Sequence, residues 1–314
     1  MSFVSTIPVP AESYRAFSRA AQDEVLGYVR SLSATLGGRR IDSLAVDASQ
    51  VPLFAAEVEA TRATIDSTSH FVLYERIDGI SSLLEQGVFA WALGNVLGVP
   101  TIQNSEGWKL VEVYDRGLGT IEKGVRYHQT KQGAYVHNDA TADPEPIDHL
   151  VLSCAQVARV GGESILIDAA TVQRALQEEP EILAVLESDF WFENRGMAAE
   201  QQLFRAPIIS YDAAGKPLIK YFRVYMEAAH AKAEEPMTTE QVAALDYLDA
   251  LLDQTPVQCR LLLEPGQTLV QADERFLHTR TAFQDRFAAR PIDPAMDRLD
   301  DINRFMFRVW SNRA

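Results

Sequence analysis

The chain has little cysteine, a deficit of positive charge and no long apolar run. It has two cysteines in 314 residues, Cys154 and Cys259. Both fall in apolar, strand-like stretches, so buried thiols are expected and a disulfide framework is not. Lys and Arg total 29 against 44 Asp and Glu, a formal charge of −15. Nucleic acid needs a basic surface, so this balance argues against it as a partner. No apolar run approaches the roughly 18 residues of a membrane span, which argues against a membrane partner. Residues 1–5 (MSFVS) lack the basic region and long apolar stretch of a signal peptide, so a cytoplasmic protein is expected. Internal repeats, low-complexity tracts and linkers with a shift in composition are missing too. That predicts one domain over residues 1–314. At 47% hydrophobic and 23% charged residues, the chain can bury a large core. It carries no sign of its oligomeric state.

The pattern changes near residue 100. Before it, Tyr14, Phe17, Ala21, Val25, Tyr28, Val29, Leu32 and Leu36 recur mostly at gaps of three and four, a helical stripe over residues 11–36 that Gly37-Gly38 ends. A second helix is expected over 52–65 and a buried strand over 70–74. A third helix follows through Ile80, Leu83, Leu84, Val88 and Trp91. Residues 1–100 therefore predict an α-rich N-terminal layer. After Pro100, short strands are expected over 109–114, 134–140, 149–157, 163–168, 258–263, 268–271 and 304–310. Gly161-Gly162 makes one of the turns between them. A helix over 171–188 meets Pro180. Residues 207–211 and 218–225 flank Asp212-Ala213-Ala214-Gly215-Lys216, a hairpin pattern. Thr238 and Gln241 form a capping-box pattern that opens another helix. Strands this short and numerous do not suit a doubly wound sheet. They suit a mainly β fold with helices (α+β): a jelly roll over 101–314 with inserted helices, its outer face covered by the N-terminal layer.

The chemistry-bearing stretch is Tyr135-Val136-His137-Asn138-Asp139-Ala140. In an extended run, His137 and Asp139 point the same way and can reach one metal ion. His278, in Leu277-His278-Thr279-Arg280, is the best third ligand. Two His and one carboxylate with open positions opposite them is the arrangement of non-heme Fe(II) oxygenases, which need those positions for O2 and a co-substrate. An enzyme of this kind that uses 2-oxoglutarate must also hold a distal carboxylate, for which the planar fork of Arg is suited. Arg304 and Arg308 lie four apart and share a face if their segment is a strand. Pairing with surface acids such as Asp300 or Asp301 is the plainer alternative. His70 reads as structural, and His149 and His230 as structural or exposed. Arg126 and His128, in a run just before the metal stretch, and Asn104 are candidate substrate-pocket residues. Trp191 and Phe192 suit a core better than an aromatic cage.

These motifs, in this order, resemble the Fe(II)/2-oxoglutarate-dependent dioxygenases. The match is to His137-Asn138-Asp139, Gly161-Gly162-Glu163-Ser164, Leu277 to Phe283 and Arg304 to Arg308. The branch with taurine dioxygenase, γ-butyrobetaine hydroxylase and clavaminate synthase is the most similar. The resemblance spans roughly residues 100–310. It implies a double-stranded β-helix, Fe(II) held by His137, Asp139 and His278, and 2-oxoglutarate anchored by an Arg of the last strand, with Arg304 preferred. It places Ser164 where the family often has a co-substrate-binding Thr. Arg308 becomes a second anchor for a carboxylate of co-substrate or substrate. The implied reaction consumes O2 and 2-oxoglutarate, releases succinate and CO2, and oxidises a C–H bond of a small molecule: an amino acid, a small acid or amine, or a natural-product intermediate. Two departures stand out: Asn138 between the first two ligands, and Thr279 where Gly is common. Asp139 argues against halogenation. Other readings are a jelly-roll binding or sensor protein that keeps metal ligands without turnover, and a metal-dependent hydrolase or isomerase. The Arg pair argues against the last.

Overall fold

The computed structural model describes residues 7–123, 125–142, 147–193 and 203–313. Residues 1–5, which carry no signal-peptide pattern, and Gly124 lie outside them. The described residues form a mixed α/β structure with seven α-helices. Eight strands matter most for the site: β1 (Phe71–Tyr74), β2 (Leu110–Val113), β3 (His149–Gln156), β4 (Ser164–Asp168), β5 (Cys259–Leu261), β6 (Thr268–Ala272), β7 (Phe276–Arg280) and β8 (Phe305–Asn312). The larger sheet runs β1-β6-β3-β8, with β2 also paired to β8 and two-residue strands at its edges. The smaller runs β5-β4-β7, all antiparallel.

Alternation along each strand sorts the side chains into three layers. On β8, Phe305, Phe307 and Val309 belong to one core cluster, with the N-terminal helices, while Met306 belongs to another. Burying each Phe contributes roughly 1.5–3 kcal/mol. Helix α1 (Arg19–Ala34), capped by the Ser18 hydroxyl, packs Ala21, Val25 and Val29 into the first cluster. Helix α2 (Pro52–Thr64) adds Phe54 and Val58. Helix α3 (Leu83–Leu97) is buried on nearly every side. It approaches β8 closely enough that a Cβ on Gly87 would lie 2.8 Å from the Phe307 ring, and one on Gly94 2.6 Å from Val309. Between the sheets, Phe71, Leu73, Cys154, Leu269 and Met306 of the larger meet Leu166, Cys259, Leu261 and Phe276 of the smaller. Phe71 and Phe276 are edge-to-face at 5.6 Å. The outer face of the smaller sheet (Ile165, Ile167, Leu277) is covered by helices α4 (Ala169–Leu176), α5 (Pro180–Leu186), α6 (Arg223–Lys232) and α7 (Thr239–Leu252). Both cysteines are free and buried. No helix among the described residues is long and apolar enough to cross a membrane.

Several expected elements differ. The strand expected over 134–140 is a single bridge, His137 to His278, followed by a 3-10 turn at Asp139–Ala142. Asn138 ends the extended run. Its Oδ1 accepts from Tyr221 N–H and from the Thr141 hydroxyl, a local bond that competes with a ladder. The strand expected over 218–225 stops at Ile219, and α6 follows. The spacing of Met226, Ala229 and His230 marks its buried face. The helix expected over 171–188 divides into α4 and α5, with Pro180 opening the second turn, where its missing N–H costs nothing. The hairpin of Asp189–Glu193 with Leu203–Pro207 was not anticipated. Phe192 is buried in the core there. The capping box at Thr238 and Gln241 is present as expected.

Candidate active site

The bridge between residues 137 and 278 is a reciprocal pair of backbone hydrogen bonds, 3.0 and 2.7 Å, and it sets the two imidazoles 4.5 Å apart. The turn then swings Asp139 back toward them. Its Oδ1 lies 3.4 Å from His137 Nε2 and 3.7 Å from His278 Nε2. One potential ligand atom from each of the three residues lies within 4.8 Å of the others.

The hydrogen bonds around these groups fit a cation. His137 Nδ1 lies 2.7 Å from the Tyr135 carbonyl and must therefore donate, which leaves a lone pair on Nε2. That Nε2 is buried with no hydrogen-bond partner. A buried acceptor left unpaired costs about 1–3 kcal/mol, which a metal ion would remove. His278 Nδ1 is 3.2 Å from Gln271 Nε2, while Gln271 Oε1 is buried and unpartnered. A half-turn of that amide satisfies Oε1 with His278 Nδ1–H and presents the His278 Nε2 lone pair as well. Around Asp139, Trp310 Nε1–H donates to Oδ2 at 2.9 Å, and Arg308 Nη1 is 2.9 Å from the same oxygen. The Tyr127 hydroxyl donates to Oδ1 at 2.7 Å. Burial alone would raise the Asp139 carboxyl; Arg308, with help from the two imidazoles, holds it well below the usual range.

Two cavities meet at His137 and Asp139, and the first also reaches His278. The first has apolar walls from Leu150, Leu152, Leu166 and Leu269, with Ser164, Arg280 and Arg304 among its lining. Arg304 lies just before β8 and Arg308 within it; both line this cavity, and they differ sharply. Arg304 is 2% exposed, and its Nη1 is buried without a partner. Arg280, opposite Ser164 in the β4–β7 pair, donates through Nη2 to the carbonyls of Thr130 and Gln132 but leaves Nε unpartnered. Burial lowers the Arg304 pKa to about 10. It lowers that of Arg280 to about 9, with the charge of Arg304 adding to the effect. Two destabilised guanidiniums in an apolar cleft make a strong site for an anion.

The second cavity is lined in part by Gln103, Arg126, Thr141, Phe222, Tyr225 and Trp310. Arg308 and His128 border both. Burial, then Arg308 and Arg126, push the His128 pKa well down, so its ring is neutral. Asn104 lines neither cavity; its Oδ1 accepts from Trp108 N–H and shapes a turn, and Gln103 stands at the cavity instead. Thr279 ties its hydroxyl to the Ala134 carbonyl at 2.6 Å. Sequence reasoning missed Trp310, Gln271 and the participation of Arg280. Trp310 had a signal, since it continues the alternation of Arg304 and Arg308. Gln271 had a weaker one, as a polar residue inside an apolar strand.

The family model of taurine catabolism dioxygenase TauD, TfdA family, matches residues 53–299. The "FR-33289 synthase" of Streptomyces rubellomurinus (strain ATCC 31215) is 27% identical over 236 residues, 74% of this chain. The match spans 65% of that relative's own length. Among solved structures, asparagine oxygenase in complex with Fe(II), 2S,3S-3-hydroxyasparagine and succinate superposes with a TM-score of 0.68 at 15% identity, covering 96% of this chain and 93% of that one. Non-heme iron oxygenase OrfP in complex with Fe and alpha-ketoglutaric acid gives 0.65 at 13% identity, covering 96% and 94%. At these identities the two structures are similar in fold.

Proposed function

The chain belongs to the taurine catabolism dioxygenase TauD, TfdA family, and on that premise we propose that it is a non-heme Fe(II)- and 2-oxoglutarate-dependent oxygenase that hydroxylates a C–H bond of a small molecule. The observation that carries this reading is the convergence of His137 Nε2, Asp139 Oδ1 and His278 Nε2 on one point, with a buried orphan lone pair among them. His137, Asp139 and His278 would hold Fe(II), whose chemistry when bound is to couple reduction of O2 to decarboxylation of 2-oxoglutarate and oxidation of the substrate. The other roles belong to the chain itself. Arg304 binds the distal carboxylate of 2-oxoglutarate, with Ser164 and Arg280 beside it. Trp310 and Arg308 orient Asp139. The leucines of the first cavity keep water from the co-substrate. The second cavity takes the substrate, so the two reactants approach from different sides.

The facing sheets, with helices on both outer faces, support a double-stranded β-helix for residues 101–314 with an α-rich layer before it, acting as one catalytic domain. Two free buried thiols accord with a reducing compartment such as the cytoplasm. Anaerobic titration with Fe(II) and 2-oxoglutarate tests the function. The reading expects a weak visible charge-transfer band from the chelate, then succinate once O2 and a substrate are admitted. A metal-binding protein without turnover would release no succinate with any substrate.

A further inference from the structure

An acid outside the first cavity weighs on the anion site inside it, an inference that rests on the oxygenase reading and deepens it. Asp285, two residues after Phe283, accepts the Arg304 backbone N–H through Oδ1 at 3.1 Å. The carboxylate is thereby tied to the residue whose side chain lines the cavity. Its other oxygen, Oδ2, is buried without a partner, and so is Arg304 Nη1. These two atoms carry opposite charges and share no hydrogen bond, so they act on each other through space. The Phe283 ring packs against both arginines, its centroid 4.7 Å from the guanidinium carbon of Arg280 and 5.1 Å from that of Arg304. With Asp115 and Asp285 it lines a separate cavity, in whose wall neither arginine stands. Asp115 is buried and accepts the Gly117 N–H through Oδ1 at 3.1 Å. Burial acts most strongly on both arginines, and Asp285 opposes it in each. Two arginines of one cavity are thus partly offset by the acids of the next.

A carboxylate that enters the first cavity is attracted by Arg304 and Arg280 and repelled by Asp285. 2-Oxoglutarate and succinate carry the same distal carboxylate, so the repulsion acts on co-substrate and product alike. We propose that Asp285 is a positioning residue of the co-substrate subsite: it holds the Arg304 backbone and, by its charge, lowers the affinity of the two guanidiniums for the distal carboxylate. The looser grip favours departure of succinate after each turnover.

Asp285→Asn tests this, because it keeps an Oδ1 acceptor for the Arg304 N–H and removes only the charge. Wild type and variant, loaded with Co(II), are titrated by calorimetry with 2-oxoglutarate, succinate and pyruvate. Pyruvate keeps the 2-oxo acid end and lacks the distal carboxylate. The dissociation constants of 2-oxoglutarate and succinate should fall together, by about three- to ten-fold, while that of pyruvate changes less than about two-fold. Asp285→Ser, a smaller neutral acceptor, should do the same and serves if the amide does not fit. Asp285→Glu, which keeps the charge, should bind the dicarboxylates within about two-fold of the wild type. A residue that only braced the backbone would give the opposite sign, since its loss would weaken both dicarboxylates. The proposal is overturned if the neutral variants bind the dicarboxylates no more tightly than the wild type does, if pyruvate tightens as much, or if the wild type binds neither dicarboxylate. A wild type that binds 2-oxoglutarate yet forms no succinate with O2 and any substrate would sink the oxygenase reading instead, and the calorimetric comparison would still decide the role of Asp285.

Discussion

Arg304, just before β8, and Arg308, within it, lie four residues apart and line the same cavity, yet they meet opposite surroundings. Arg308 is neutralised by Asp139 and braced by Gln103 and Tyr127, so its charge is used to aim a carboxylate. Arg304 has only the Met306 sulfur, 3.2 Å from Nη2, and a Phe283 ring 5.1 Å from its guanidinium carbon. Burial raises the free energy of its charged form, and the Asp285 carboxylate repays only part of it. The same side chain is therefore a structural brace in one place and, in the other, a buried cation whose Nη1 has no partner among the described residues. What separates them is whether the protein already supplies the counter-charge.

That contrast can be broken experimentally. The largest effect is expected from removing the partner of Arg308: Asp139→Ala should cut iron-dependent succinate formation by a factor on the order of 10³ or more, with the circular dichroism spectrum retained. Unchanged turnover would remove Asp139 from the mechanism. Arg304→Met should raise the apparent Michaelis constant for 2-oxoglutarate by roughly 100-fold and leave Fe(II) affinity nearly unaltered, since a charge-assisted bidentate contact is lost. If Arg308→Met does this and Arg304→Met does not, the two roles are exchanged. Trp310→Phe keeps the ring system's bulk but loses the donor to Asp139 Oδ2, so metal affinity should fall about 10-fold with little change in 2-oxoglutarate affinity, measured by calorimetry with Co(II). The mildest case is Gly162→Ala. A Cβ there would lie 3.1 Å from Arg304 Nε, at a backbone φ of +82° that favours glycine. A several-fold rise in the Michaelis constant for 2-oxoglutarate, with metal binding intact, is expected; a loss of metal binding would show that the two subsites are not separable.

Most of the site's composition was legible beforehand because it rests on local rules. His137 and Asp139 are two residues apart, Arg304 and Arg308 four, and both spacings specify a direction once the backbone is roughly extended. The reading failed where a side chain overrode the ladder. Asn138 captures Tyr221 N–H and turns the chain after His137, so Asp139 reaches the imidazoles from a 3-10 turn. Asn104 was a plausible pocket residue by type and position, yet its amide is spent within four residues on Trp108 N–H. Gln271 and Trp310 act on the ligands from strands β6 and β8, far from both histidines in sequence. No spacing within a single segment reveals such contacts.

The sequence by itself pointed to the trio His137, Asp139 and His278, to the alternation that turns two arginines inward, and to the helical layer before residue 100. Each follows from the period of a strand or a helix, a property of a few consecutive residues. Tertiary structure alone decided which arginine keeps an unpaired charge, which oxygen of Asp139 faces the two imidazoles, and which residues line the two cavities. Those outcomes depend on which distant groups share a desolvated space, because counter-charge and dielectric are set by neighbours in three dimensions and not along the chain.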